Sequence, residues 1–479
     1  MYKYKFKFYP FMMAAGISLA VVSCKAPAAI QEKAMTPVPE SYGASKDTIA
    51  MAAVPWKMFF KDQHLADLID IALKNNQELM ITLQEIEMAR NDIRIRKGTL
   101  LPSVSLRAGA GVEKVGRYTS QGAGDATTEI MPGKEFPDPL GDFTLSANAR
   151  WEADIWKKLR NSKKAAVSRY LASVEGKNFV LTNLIAEIAD SYYELLSLDS
   201  QLEVVKRNIA LQNNALEIVK VQKQAARATE LAVQKFQAEV LDSKNTEFEI
   251  LQRIREAENK INFLLARYPQ EIKRDSSNFL NLAPTPVASG IPSQLLSNRP
   301  DIRQAELELA ASRLDVKVAR AEFYPSLDIS AAVGLQAFKP SYLLTLPESL
   351  LYSIAGDIVA PLINRNAIKA EFKNANARQI QSLYNYERII LNAYMEVSNQ
   401  LSKISNLEKS YDLKTQQVAA LNKSIAVSND LFKSARVDYF EVLMTQRDAL
   451  ATQLELIETK KELLNASVTM YRNLGGGWK

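Results

Sequence analysis

Apolar residues along this chain follow two rhythms, and each predicts a different element. In the first they return every seventh position, at Ile188, Leu195, Leu202, Ile209 and Leu216, with Leu198, Val205 and Val219 three places further on. A second series runs Val397, Ile404, Tyr411, Val418 and Ile425. Seven-residue spacing held this long predicts helices packed side by side as coiled coils. Residues 177–268 and 362–474 contain neither glycine nor proline, so helix is expected through both, interrupted only by turns at 225–231 and 435–440. A helix from Ser162 to Gln224 would reach roughly 95 Å at ~1.5 Å per residue.

The second rhythm is alternation. Val104, Leu106, Ala108, Ala110 and Val112 alternate with Ser103, Ser105, Arg107, Gly109 and Gly111, and Phe143, Leu145, Ala147, Ala149 and Trp151 alternate with Thr144, Ser146, Asn148 and Arg150. Leu327 to Leu335 repeats the pattern against Asp328 and Ser330, and Tyr352, Ile354 and Ile358 oppose Ser353 and Asp357. Each run has about the 9–11 residues that a tilted strand needs to cross a bilayer. One such run alone reads equally as a half-buried strand of a soluble sheet. Here the charged residues Arg107, Arg150, Asp328 and Asp357 all fall on the non-apolar side, as in strands set between lipid and a water-filled lumen. Four strands cannot close a barrel, and open edges in lipid leave backbone groups unpaired at several kcal/mol each. Association through the strands is therefore expected, and three copies give twelve.

The chain is written twice. Residues 87–106 align with 310–329, matching Asp92 with Asp315, Pro102 with Pro325 and Ser103 with Ser326, and Ala226-Arg227-Ala228-Thr229 aligns with Ala435-Arg436-Val437-Asp438. Each copy reads as helix, strand, loop, strand, long helical hairpin. The expected segments are a helix over 61–98, a strand pair over 99–157 and a hairpin over 158–268. After a linker at 269–298 come a helix over 299–321, a strand pair over 322–363, a hairpin over 364–474 and a tail at 475–479. Pro300 suits the first position of a helix, with Asp301 complementing its dipole. Gly475 to Gly477 read as a helix cap. The loop from Glu113 to Asp142 exceeds its counterpart at 337–348, and Tyr118, Phe136, Phe338 and Tyr342 are candidates for an interfacial girdle or a plug.

Residues 1–23 are expected to be a leader. Lys3, Lys5 and Lys7 precede an apolar run from Phe8 to Val22, shorter than the roughly 20 residues of a spanning helix. Val21-Val22-Ser23-Cys24 resembles a bacterial lipobox, which makes Cys24 the expected lipid attachment point. Residues 24–60 read as a tether that Trp56, Phe59 and Phe60 close against a helix carrying Leu65, Leu68, Ile69, Ala72, Leu73 and Leu79.

Composition removes other chemistries. One cysteine and one histidine, His64, supply neither a disulfide framework nor a zinc site, and a histidine-based catalytic triad is not expected. Half of the formal net charge of +6 comes from the three leader lysines, which leaves no case for nucleic acid. No carboxylate pair, nucleophile or phosphate loop stands in a catalytic context, and no metal site or cofactor is expected beyond the lipid on Cys24.

Four further stretches carry a family likeness: Asn298-Arg299-Pro300-Asp301-Ile302-Arg303, Ala321 to Leu327, Trp151-Glu152-Ala153-Asp154-Ile155-Trp156, and Tyr471-Arg472-Asn473-Leu474-Gly475-Gly476-Gly477-Trp478. In that order and spacing the chain resembles the outer-membrane efflux proteins, the TolC-like outer-membrane factors, and their lipidated OprM-like branch. The resemblance implies an α+β membrane protein, a homotrimer whose 12-stranded β-barrel continues into a periplasmic α-helical barrel. It implies a passive conduit in a Gram-negative outer membrane, exporting drugs or small solutes with a periplasmic adaptor and an inner-membrane pump of the resistance-nodulation-division class. A secretion or metal-export duct of the same fold, and a lipid-anchored coiled-coil scaffold without a pore, remain open at this point. The hairpin tips match the family's adaptor-docking ends, so Arg227, Thr229, Glu230, Arg436, Asp438 and Tyr439 are the expected contacts. Where OprM-like members commonly carry Asp, this chain has Met444. An apolar gate of Phe440 and Met444, with Glu441 and Arg447 beside it, is expected instead of an acidic ring.

Overall fold

The computed structural model describes residues 37, 39–42, 54–285, 288–363, 365–434 and 436–478. Cys24, the leader and most of the tether lie outside the described residues. The helices are α1 (Trp56–Phe59), α2 (Gln63–Asn75), α3 (Gln77–Gly98), α4 (Ser120–Asp125), α5 (Lys158–Gln224), α6 (Glu230–Leu264), α7 (Leu295–Asn298), α8 (Pro300–Ala321), α9 (Asn366–Lys433) and α10 (Tyr439–Asn473). The strands are β1 (Ser103–Glu113), β2 (Glu129–Met131), β3 (Lys134–Glu135), β4 (Leu140–Ala153), β5 (Ser326–Ala337) and β6 (Leu350–Val359). No helix among them is long and apolar enough to cross a membrane.

The chain divides into two compact units. The first holds residues 87–170 and 307–383, the second 39–86, 171–306 and 384–479.

In the first unit the four long strands form one antiparallel sheet in the order β1-β4-β5-β6. The register puts Ser103 opposite Arg150, Arg150 opposite Ser330 and Ser330 opposite Ala355, so the period-2 pattern of each strand adds to that of the next. β1 and β6 each keep one edge unpaired among the described residues. Pro102 and Pro325 stand one residue before β1 and β5, where the chain leaves helical geometry. Phe323 packs edge to face on Phe372, with Val316, Ala319 and Ala375 around them. The loop between β1 and β4 holds α4 and the β2–β3 ribbon, and Lys134 donates to the Tyr342 hydroxyl at 2.9 Å, tying it to the second loop.

The helix expected over 61–98 is two helices. Asn76 ends α2 in an extended conformation, its side-chain oxygen accepts from the Leu79 amide at 3.0 Å, and its side-chain nitrogen donates to the Leu264 carbonyl at 2.9 Å. Trp56, Phe59 and Phe60 are buried with Leu65, Leu68, Ile69 and Ala72, and Phe59 stacks on Tyr471 at 4.1 Å between centroids. On α5 the heptad residues Ile188, Leu195, Val205, Leu216 and Val219 are buried and Leu202 and Ile209 half-buried. On α9 Val397 is buried, whereas Ile404, Tyr411, Val418 and Ile425 are half-buried. Arg274 binds the linker to the hairpin, reaching Asp199 on α5 at 2.6 Å and Glu258 on α6 at 2.7 Å.

Candidate functional site: the sheet faces and the hairpin tips

Alternation along four strands in this register sorts the sheet into two unlike faces. One carries Leu106, Leu145, Val333, Tyr352 and Ile354 with no charged residue, and it is exposed, Leu106 by 83% and Ile354 by 82%. A broad exposed apolar surface on every strand is unstable in water and matches lipid. The opposite face carries Arg107, Arg150, Asp328 and Asp357, so the four charged positions singled out in the sequence share a side. The register adds Glu152, which stands just past the Trp151 end of the alternating run. Glu152 lies directly opposite Asp328, and Asp328 opposite Asp357. Like charges in facing positions repel. Arg150 reaches Asp328 at 3.4 Å and Lys158 reaches Glu152 at 2.6 Å, offsetting two of the three. A cavity of about 360 Å³ beside them is lined by Arg150, Glu152, Lys158, Glu322 and Asp328.

Both hairpins turn by the same device. At the end of α5 the Arg227 amide donates to the Gln222 carbonyl at 2.8 Å, and at the end of α9 the Arg436 amide donates to Leu431 at 2.9 Å. These bonds satisfy carbonyls that a helix end leaves unpaired. Thr229 then caps α6, accepting from the Ala232 amide at 3.3 Å; Asp438 stands at the start of α10 without a side-chain cap bond. Lys223 pairs with Glu230, and this contact holds the exposed Glu230 carboxyl below the usual range. Arg227, Arg436 and Asp438 are exposed and form no ion pair among the described residues. Tyr439 is half-buried and packs with Phe432 and Leu443 against Leu216, Val219, Val233 and Phe236 of the first hairpin.

Phe440, Met444 and Arg447 fall at i, i+4 and i+7 and so share one face of α10. Phe440 is 58% exposed, Met444 half-buried and Arg447 exposed beside Asp448. Glu441 is exposed one residue away. None of the four belongs to the apolar cluster that Leu443 joins.

Arg299 is part of the Asn298–Arg303 stretch, and its role is not legible in the sequence. Its side chain is 7% exposed and bonds to Asp301 at 3.0 and 2.7 Å, to Glu396 at 2.7 Å and to the Asn473 carbonyl at 3.0 Å. The terminal glycines close the same junction. Gly475, with φ +88°, donates to Arg472, Gly476 donates to Tyr471, and a Cβ on Gly475 would meet the Asn298 carbonyl at 2.4 Å.

A sheet with one lipid-matched face, a charged opposite face and two long hairpins defines an outer-membrane channel protein. The model of the family described as outer membrane efflux protein matches residues 68–267 and 291–476, and the chain belongs to that family. It is 28% identical over 425 residues to the pyoverdine export outer membrane protein OpmQ of Pseudomonas aeruginosa, covering 88% of this chain and 87% of that one. It is 26% identical over 469 residues to the cation efflux system protein CusC of Escherichia coli O6:H1, covering 97% and 98%. Among solved structures, one of CusC superposes with a TM-score of 0.82 at 24% identity over 94% of this chain and 99% of that one. The open state of the Neisseria gonorrhoeae MtrE outer membrane channel superposes with a TM-score of 0.82 at 22% identity over 94% and 98%. The fold is the TolC-like α+β fold with an internal duplication. The protein is an efflux channel of the outer membrane.

Proposed function

We propose that three copies of this chain form a passive, gated exit duct of a tripartite pump, anchored through a lipid on Cys24. The observation that carries the reading is the sheet, whose charge-free face is exposed and whose β1 and β6 edges are unpaired among the described residues. A twelve-stranded closure supplies partners to both edges and places the apolar face in lipid. Arg107, Arg150, Asp328 and Asp357 then line the lumen. The tips at Arg227, Thr229, Glu230, Arg436, Asp438 and Tyr439 face a periplasmic adaptor, which joins the duct to an inner-membrane pump of the resistance-nodulation-division class. Phe440 and Met444 form the constriction, with Glu441 and Arg447 at its margin. The cargo is drugs or other small solutes, and the duct performs no chemistry on it.

Cation export is a second reading, favoured by the likeness to CusC over nearly the whole of both chains. Growth of a deletion strain in graded drugs and in graded metal salts separates the two. The duct itself is tested by single-channel conductance of the lipidated protein in a planar bilayer, with its mass by light scattering. A trimer with small, mostly closed conductance is expected. A monomer or dimer without conductance overturns the reading and leaves a scaffold.

A further inference from the structure

Partway along the two hairpins the packing changes from apolar to amide. On α5 the buried series Leu195, Leu198 and Val205 gives way to Asn208 and Gln212 before Leu216 and Val219 restore it. On α10 Gln446 and Gln453 interrupt a face that holds Leu443 and Ile457. At this level lies a cavity of about 400 Å³. Its apolar walls are Val204 and Leu211 of α5, Val418 and Ile425 of α9, Ile457 of α10 and Leu280 of the linker. The half-burial of Val418 and Ile425, two positions of the α9 heptad, follows from their facing this space.

The remaining side is built of carboxamides. Asn208, Asn422, Gln446 and Gln453 line it, and Gln453 donates to Asn422 at 2.8 Å, spanning α10 to α9. Gln446 is 3% exposed, and its amide oxygen has no hydrogen-bond partner among the described residues. Gln212, one turn past Asn208 and fully buried, leaves both amide atoms without partners as well. Buried amides are unfavourable unless a partner completes them, and native proteins leave few of them incomplete. Apolar walls around convergent polar groups, at a volume of about 300–1,000 Å³, are the usual make-up of a small-molecule pocket.

We propose that this cavity binds a small, uncharged, amphipathic molecule with an apolar body and one N–H or O–H group. The apolar body fits the Val, Leu and Ile walls. The donor meets the carboxamide of Gln446, which lines the cavity. No carboxylate lines the space to compensate a cation, and the one charged lining group, Arg207, is exposed and stands 3.8 Å from Glu203. Because α5, α9 and α10 all contribute walls, an occupant touches both hairpins at once and is sensitive to their spacing. This site is separate from the conduit reading and stands without it.

The test uses N-phenyl-1-naphthylamine, two aromatic groups on a single N–H, titrated by fluorescence into the full-length protein in amphipol. Wild type, Gln446→Leu and Ala449→Phe are compared, Ala449 being a buried wall residue whose enlargement fills the space. Circular dichroism and particle mass confirm that each variant is folded and assembled. Saturable binding of one probe per chain is expected in wild type, roughly tenfold weaker in Gln446→Leu and absent in Ala449→Phe. If Ala449→Phe does not fold, the Gln446→Leu shift decides. Equal binding in wild type and Gln446→Leu, or no saturable binding to wild type, overturns the proposal. Conductance of the same samples reports on the duct independently.

Discussion

Two buried charges show how a single residue sets stability in opposite ways. Arg299 is fully engaged, so burial works against its charge while Asp301 and Glu396 raise its pKa. Removing one member of such a set strands the others, which costs about 3–5 kcal/mol. Arg299→Met is expected to lower the thermal midpoint well below that of wild type in a detergent melt followed by circular dichroism. Asp190 is the contrary case. Burial pushes its carboxyl up to about 6 against the pull of Arg472, Lys260 and Lys403, with Glu187 adding to the rise, and one of its oxygens has no partner among the described residues. The folded state therefore holds this proton more tightly than the unfolded chain, so the stabilisation is complete below about pH 4 and is lost as pH rises through about 6. The loss is roughly 2–3 kcal/mol at pH 8. Asp190→Asn should be more stable than wild type at pH 8 and lose that advantage at pH 4. Neither role was legible in the sequence, where Arg299 is one residue of a motif and Asp190 one polar residue of a helix. Both depend on partners about 70 or more residues away as well as on neighbours, and periodicity carries no information about such distances.

At the scale of elements, the turns were legible from the internal repeat and the family resemblance, since both tracts that hold them lack glycine and proline throughout. The repeated Ala-Arg at 226–227 and 435–436 marked them, and α5 and α9 end at Gln224 and Lys433. The break at Asn76 was not legible, because its side chain is fixed by the carbonyl of Leu264, which no local pattern announces. The turn of the first hairpin carries a removable cost. Ala226 sits at φ +55°, a region in which a Cβ crowds the following carbonyl by about 1–2 kcal/mol. Ala226→Gly is expected to stabilise the hairpin by about 1 kcal/mol, read as slower amide exchange over 215–235. A different prediction belongs to α10. If the face of Phe440 and Met444 forms the constriction, the barrier is an apolar neck that water enters reluctantly. Met444→Ala widens it and should raise single-channel conductance and antibiotic entry, whereas an unchanged conductance would place the constriction elsewhere.

At the scale of the whole molecule, the duplication explains why a chain with weak individual strand signals reads so clearly. Each half alone offers two alternating runs, but together they form four strands in one register with every charge on one face. The identity of the lipid-facing side is then a claim about all four strands at once, and neighbouring residues of β6 isolate it. Ile354 lies on the charge-free face and Ser353 on the face of Asp357, and both are exposed. Their backbones are adjacent, so an arginine at either position meets the same depth, strand and pairing and differs only in the side to which it points. Towards lipid, an arginine near the bilayer midplane costs about 2–4 kcal/mol, repeated in each copy that contributes a strand. Towards a wet lumen it stays solvated. Ile354→Arg should abolish the heat-modifiable species on gels and leave the protein out of the outer-membrane fraction, while Ser353→Arg should assemble normally and shift only ion selectivity. The reverse result would turn the sheet inside out and remove the apolar face as the membrane contact.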